Sequence, residues 1–289
     1  MAIELVRSIA GLRARLAEPR HNGVTIGLVP TMGALHAGHG QLIDRAGREC
    51  GIVVVSIFVN PLQFDRPDDL ERYPRALEAD LAFCERLGAG LVFAPDVGEM
   101  YPSDPLCTVD VGPLGDHLCG RHRPGHFRGV ATVVLKLLQI AQPDFAYFGE
   151  KDAQQLAIVR RLVHDFNVPT QIVGVPTVRE ADGLALSSRN RRLNPDERRL
   201  ASALSKALEA AAKAVAAGNR DVADVIAKAK TQVPTGDSLR LEYLEVVDPL
   251  DMQPVERITG PVLIAGAMWV GGTRLIDNVV VTPESVWAG

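Results

Sequence analysis

Apolar positions along the chain follow two rhythms. Val24–Pro30, Ile52–Phe58, Leu91–Phe93, Phe145–Phe148 and Thr170–Val175 are short, near-continuous apolar runs. Such runs predict strands buried on both faces. Between them, apolar residues recur at helical spacing. Leu42, Ile43 and Ala46 do so in Gln41–Cys50, Leu77, Leu81 and Leu87 in the next such segment, and Val130, Val133, Val134, Leu137 and Leu138 in Arg128–Ile140; Asp152–Phe166 follows the next strand as a further helix. Strands alternating with helices predict a parallel sheet covered on both sides. At the start, Leu5, Ile9, Leu12 and Leu16 mark one stripe of an amphipathic helix ended by Pro19. Thr108–Val111 predicts a further short strand. Gly112–Gly125 is rich in Gly, Pro, His and Arg and has no period; a mobile lid and a long surface loop fit it equally.

The rhythm changes after Asn190. Asn194-Pro195-Asp196-Glu197 is a helix start, with a capping residue, proline at the first helical position and an acid three residues after the cap. It predicts an alanine-rich helix to Ala217, stopped by Gly218-Asn219, and a second helix over Asp221–Val233. Leu239–Val247, Val262–Val270 and Arg274–Val281 then alternate as strands, with Gly271-Gly272-Thr273 as the turn between the last two. The expected fold class is α/β: a Rossmann-like parallel-sheet domain over residues 1–189, then a smaller C-terminal α+β domain over 190–289. The boundary is expected between Ser188 and Asn194.

Composition narrows the function. The 289 residues carry 31 Lys and Arg against 35 Asp and Glu, a net charge of -4. A nucleic-acid-binding surface usually shows a basic excess, so none is expected. Cys50, Cys84, Cys107 and Cys119 have no C-x-x-C spacing, which disfavours a thiolate metal site or a disulfide framework. Reduced thiols, no leader-like start and no apolar run long enough for a bilayer point to a cytoplasmic protein without membrane contact.

The densest chemistry lies in Val24–Ala46. An apolar strand ends in Pro30-Thr31, a glycine-bearing turn follows, and a helix begins. The amide-rich amino end of a helix at the end of a strand is a ready anion site. His36 and His39 are spaced i, i+3 and share one face of the first turn, where they can donate to charge that develops in a transition state. One such histidine would more often be a helix-start residue without a ligand; two on one face, behind Pro-Thr-Met-Gly, favour function. Gly149-Glu150-Lys151-Asp152 likewise follows a strand and opens a helix, with lysine as a compact charge for phosphate. His36, Gln63 and Lys151 all fall just past strand ends, where open parallel sheets bind ligands. Ser187-Ser188-Arg189-Asn190 offers hydroxyls and a guanidinium to phosphate oxygens, although it could equally be a solvated linker. Gln63 taken alone would more often be a loop glutamine facing water.

His36-Ala37-Gly38-His39 resembles the H-x-G-H signature of the nucleotidyltransferase superfamily. The longer run Pro30-Thr31-Met32-Gly33-Ala34-Leu35-His36 is more specific and resembles the pantothenate synthetases, or pantoate–β-alanine ligases. Asn60-Pro61-Leu62-Gln63-Phe64, His126-Phe127-Arg128-Gly129-Val130, Gly149–Asp152 with Gln154-Gln155, and Leu184–Asn190 match that family in the same order. Ala37, Gly40 and Leu186 depart from its usual residues. The resemblance implies ATP-dependent joining of pantoate to β-alanine through pantoyl adenylate, with Mg²⁺ carried on the ATP phosphates and no protein metal site. It implies catalytic roles for His36, His39 and Lys151. It implies ATP contacts from Met32, Gly33, Ala34, Leu35, His36, Ala37, Gly38, His39, Gly149, Glu150, Lys151, Asp152, Val178, Leu186, Ser187, Ser188 and Arg189. Gln63 and Gln155 are implied to bind pantoate, and Gln63 also β-alanine. A homodimer is implied, and a C-terminal domain that covers the active site. His126 and Arg128 read as substrate-loop residues or as positional ones. Two alternatives stay open: another H-x-G-H enzyme, such as a phosphopantetheine adenylyltransferase, and a nucleotide-binding protein without catalysis.

Overall fold

Buried β-branched runs become the centre of a parallel sheet. In a computed structural model that describes residues 3–236 and 238–283, six strands form that sheet: β1 (Glu4–Val6), β2 (Ile26–Thr31), β3 (Ile52–Ile57), β4 (Leu91–Phe93), β5 (Phe145–Gly149) and β6 (Gln171–Val175). The order is β1-β4-β3-β2-β5-β6, and every pairing is parallel. Strands β3 and β4 extend to one side of β2, and β5 and β6 to the other. The order therefore reverses at β2, and the crevice beyond the carboxyl ends of β2 and β5 is the place where such sheets bind ligands. The helix Ala37–Glu49 buries Leu42, Ile43 and Ala46, the residues its spacing selected. They join Val29, Val55, Val92 and Tyr147 in one apolar cluster.

The chain divides into two compact units. The first comprises the chain up to Val111, Arg123–Glu150 and Ile158–Pro176, and holds the parallel sheet. The second comprises Gly112–His122, Lys151–Ala157 and the chain from Thr177 onward. In it, β7 (Leu239–Val247), β8 (Val262–Val270) and β9 (Thr273–Val281) form an antiparallel sheet in that order. Gly271-Gly272 makes the turn between β8 and β9, with Val270 paired to Thr273. The helices Ala203–Ala216 and Val222–Lys230 contribute Leu204, Leu208, Val215 and Val225 to a core with Val246, Ile264 and Met268. Residues 189 and 190, where composition shifts, lie inside this unit, in the turn Ser188–Arg192. Residues 1, 2, 237 and 284–289 of the two expected domains lie outside the described residues.

Several expectations are corrected. Leu5 is not on the opening helix but in β1, and the helix runs Ile9–His21 with Pro19 inside its last turn. Ser8 caps it, its hydroxyl accepting from the Gly11 amide; the apolar spacing of Leu5 with Ile9 mimicked one more turn. Thr108–Val111 is not a strand, because the Val109 amide donates to the Thr132 hydroxyl rather than to a ladder. The helix expected from Asn194 to Ala217 breaks at Ser202 into Pro195–Ala201 and Ala203–Ala216, with the Ser202 carbonyl accepting the Ser205 hydroxyl. Gly112–Gly125 is not irregular throughout: it contains the helical turns Gly112–Gly115 and Leu118–His122, and Leu118 and Cys119 are buried. Among the described residues no helix is long and apolar enough to cross a membrane.

Candidate active site

The histidine turn is built from local capping. His36 is the N-cap of the helix Ala37–Glu49 and has extended backbone. Its Nδ1 accepts the Gly38 amide at 3.1 Å, and its own amide donates to His39 Nδ1 at 3.3 Å. The rings lie 4.2 Å apart between centroids. A ring nitrogen that accepts carries no proton, so each neutral imidazole holds its proton on Nε2. The capping box thus fixes two rings in the donor form at Nε2, the state that stabilises developing negative charge.

The amides before His36 are engaged as well. Ala34 and Leu35 donate to the two carboxylate oxygens of Asp80 at 2.9 and 2.8 Å. Asp80 is buried on the inner stripe of the helix Leu77–Arg86, beside Cys84. Burial, with the Asp80 charge adding to it, pushes the Cys84 thiol up to about 12. Gly33 has φ +80°, and a Cβ there would come within 2.9 Å of Asp80 Oδ2. Both the conformation and the close approach require glycine. Of the amides that the sequence pattern offered to an anion, those of Ala34, Leu35, His36 and Gly38 are therefore bonded within the protein.

Gln63 belongs to the same unit. It ends the turn Pro61–Gln63, which follows β3. It is not a water-facing loop residue: it is only 9% exposed. Its Nε2 donates to Met32 Sδ at 3.1 Å, and its Oε1 accepts from Asn60 Nδ2 at 3.1 Å. Asn60 also donates to the Gly129 carbonyl and accepts from the Tyr101 hydroxyl, each at 3.0 Å. Burial raises the Tyr101 phenol to about 12, so it stays a donor. A Cβ at Gly129 would overlap the Leu62 carbonyl, so glycine lets the helix His126–Ala141 meet this turn. His126 Nδ1 lies 2.7 Å from the Gln63 carbonyl, and its Nε2 lies 3.1 Å from Arg123 Nη1. With Nδ1 donating and Nε2 accepting, His126 holds the Gln63 backbone, which is the positional reading of that histidine. Arg128 takes part through its backbone, where its carbonyl accepts the Thr132 hydroxyl.

Gly149 is the last residue of β5, and Glu150–Asp152 is a single helical turn. Gly149 and Glu150 fall in the first unit; Lys151, Asp152 and Gln155 fall in the second. Lys151 is largely buried, with Nζ 3.9 Å from Asp152 Oδ2, and its carbonyl accepts from Asn278 Nδ2 at 2.9 Å. Gln155 is half-buried. The adjacent Gln154 is buried and donates to the carbonyls of Leu114 and His117 at 2.9 and 2.8 Å, which docks the Gly112–His122 segment within its unit.

Val178 and Leu186 are brought together: the Leu186 amide donates to the Val178 carbonyl at 2.9 Å, closing a hairpin in which Arg179 pairs with Ala185. Ser187 leaves this hairpin and caps the turn Ser188–Arg192, its hydroxyl accepting from the Arg189 amide at 3.3 Å. Asn190 is anchored to the hairpin through Glu180 and the Ala185 carbonyl. Arg198 clamps it from outside, bonding Glu180 at 2.7 Å and also Asp182; the bond from Arg198 holds the Asp182 carboxyl below its usual range. The Ser-Ser-Arg-Asn segment is thus a seated turn rather than a solvated linker.

The sequence pattern paired His36 with His39, and the fold adds the proximity of Val178 to Leu186. It missed Asp80, Tyr101, Asp277 and Asn278. An acid within the helical stripe Leu77, Asp80, Leu81, Cys84 was the available signal for Asp80. For Asp277 there was none, because its partner Arg179 lies 98 positions away. Among the described residues no group of three or more His, Cys, Asp or Glu is placed to hold a metal ion.

The family described as pantoate-beta-alanine ligase matches residues 4–280. A pantothenate synthetase of Ruminiclostridium cellulolyticum is 50% identical over 279 residues, 96% of this chain and 99% of that protein. A bifunctional pantoate ligase/cytidylate kinase of Thermosynechococcus vestitus is 58% identical over 257 residues, 88% of this chain; the match spans 50% of that longer relative. The crystal structure of pantothenate synthetase from Thermus thermophilus superimposes with a TM-score of 0.91 at 46% identity, covering 97% of this chain and 100% of that one. The pantoate-beta-alanine ligase of Francisella tularensis, solved with beta-gamma ATP and beta-alanine, gives 0.80 at 34% identity, covering 96% and 98%. On the match over residues 4–280 and on these relatives, the chain belongs to the pantoate-beta-alanine ligase family.

Proposed function

We propose that this chain joins (R)-pantoate to β-alanine, with ATP cleaved to AMP and diphosphate, through pantoyl adenylate. The observation that carries this reading is the paired histidine cap, which presents two Nε2–H donors at the turn after β2. Attack of the pantoate carboxylate on the α-phosphorus needs no protein nucleophile. It needs donors and cations around oxygens whose charge is redistributed as diphosphate leaves. His36 and His39 supply the neutral donors. Lys151 and Arg189 supply positive charge, and Ser187 and Ser188 supply hydroxyls. Met32–Gly38, Gly149, Glu150, Asp152, Val178 and Leu186 complete the ATP contacts. In the second step the β-alanine amine attacks the acyl carbon and AMP departs, with His39 donating to the leaving phosphate oxygen.

Gln63 and Gln155 bind pantoate, and Gln63 also meets β-alanine. An amide suits a substrate that carries both hydroxyl and carboxylate groups. The burial of Gln63 supports this, since a fixed amide loses little freedom on binding. Mg²⁺ accompanies ATP and neutralises phosphate charge. The protein acts in the cytoplasm as a homodimer, and residues 1–189 and 190–289 serve as nucleotide- and pantoate-binding domain and covering domain.

The test is pantothenate formation from pantoate, β-alanine and ATP, omitting each in turn. Product only when all three are present supports the reading. Turnover of phosphopantetheine and ATP in their place would favour the adenylyltransferase alternative.

A further inference from the structure

Two neighbouring residues of β9 hold two separate segments that the proposed function assigns to phosphate. Asp277 is buried, 5% exposed, and receives Arg179 through both oxygens, from Nη1 at 2.6 Å and Nη2 at 2.9 Å. Arg179 also donates to the Gly183 carbonyl, so this one guanidinium spans the hairpin that ends in Leu186 and Ser187. Asn278, the next residue, sends Nδ2 to the Lys151 carbonyl at 2.9 Å. All of these residues lie in the second unit.

Alternation explains how one dipeptide does both. Successive residues of a strand point to opposite faces. Asp277 pairs with Gly266 and Asn278 with Ala265 across the sheet, so the β8 ladder holds the backbone of both. The bidentate Arg179–Asp277 bond is planar and charge-assisted, which fixes orientation as well as distance. Accepting those bonds, the Asp277 carboxylate offsets the cost of its own burial. Breaking either contact would leave the sheet intact and free one phosphate segment relative to the other.

We infer that Asp277 and Asn278 are positioning residues for ATP use: through Arg179 and the Lys151 carbonyl they set the spacing between Lys151 and the Ser187–Arg189 turn. The inference rests on the reading that those two segments hold the ATP phosphates. Neither Asp277 nor Asn278 need touch substrate for it to hold. Misplacement of a charge by a fraction of an ångström to an ångström suffices to weaken a multi-point phosphate clamp.

The test uses the full chain with Asn278→Ala and the nearly isosteric Asn278→Asp, which removes the donor while keeping the shape. Each should raise the KM for ATP and slow pantoate-dependent diphosphate–ATP exchange, together about tenfold in kcat/KM. The KM for β-alanine and the melting temperature should stay near wild type. Hydrogen exchange should rise over Lys151–Ala157 while the helix Ala203–Ala216 remains protected. In a double-mutant cycle, Asn278→Ala added to Lys151→Ala should cost less than it does alone, because the residue acts through Lys151. Wild-type ATP kinetics in both Asn278 variants, or full additivity with Lys151→Ala, overturns the inference. A Lys151→Ala enzyme with unchanged ATP use instead overturns the phosphate reading itself, so the two failures are distinguishable.

Discussion

The histidine turn of the first unit and the Val178–Arg189 hairpin of the second both present polar groups at the end of a short turn, and they are held in opposite ways. The two histidine rings are secured within their own turn, where His36 caps Gly38 and His39 caps His36, while Asp80 anchors the preceding Ala34 and Leu35 amides from 46 and 45 positions away. The hairpin is secured by side chains distant in sequence, with Asp277 98 positions from Arg179 and Arg198 18 positions from Glu180. A local cap forms with the helix it caps. A distant clamp forms only when the sheet that carries it is in place. The difference predicts that ring chemistry and hairpin placement can be damaged separately.

The sharpest break is His39→Ala. Loss of one preorganised donor should lower kcat for pantoate-dependent diphosphate release about 10²- to 10³-fold. Loss of its half of the capping box should cost only about 1 kcal/mol of stability. A urea titration alongside the assay separates the two effects. Asp80→Ala comes next, because it removes the distant carboxylate that holds the Ala34 and Leu35 amides just before His36. With the Ala34 and Leu35 amides left buried without acceptors, stability should fall by about 3 kcal/mol. Unfolding midpoints measure this, and activity should fall with them as the turn loosens.

In the second unit, Glu242 accepts from Arg274 at 2.6 Å and from Trp269 at 2.8 Å. Burial pushes its carboxyl up, but these hydrogen bonds outweigh burial and hold it below the ordinary value of 4.5. A carboxyl whose pKa is lowered by folding contributes stability above its unfolded pKa and loses it as pH falls through the folded one. Glu242→Gln should therefore cost about 2 kcal/mol near pH 7, and the gap from wild type should narrow as pH drops below about 4.5. Melting temperatures across pH 3 to 7, roughly the carboxylate range, check this. The smallest effect is expected of Arg198→Ala. Its ion pairs with Glu180 and Asp182 are partly exposed, so stability should change by under about 1 kcal/mol and less at high salt.

This contrast also explains what was legible in the sequence. The strands β2, β3 and β5 and the helix Ala37–Glu49 follow from continuous apolar runs and a 3.6-residue stripe, which are local signals. His36 and His39 stand out because their chemistry and their spacing lie within one helical turn. Val262–Val270 is bounded as expected because glycines punctuate its end. β1 was not legible: its three residues carry too little pattern, and Leu5 continued the helical stripe by coincidence. Asp80, Asn60 with Tyr101, and Asp277 were not recognised as supports, because each acts through a partner that only the folded chain brings near. The break at Ser202 was hidden by uniformly helix-favouring neighbours.

The central claim is that the histidine turn supports adenylation of pantoate before β-alanine is engaged. Isotope exchange between labelled diphosphate and ATP tests it most directly. Wild-type protein should catalyse exchange with pantoate present and β-alanine absent, and His39→Ala should lose most of it. Exchange that ignores pantoate, or that persists unchanged in His39→Ala, would contradict the account.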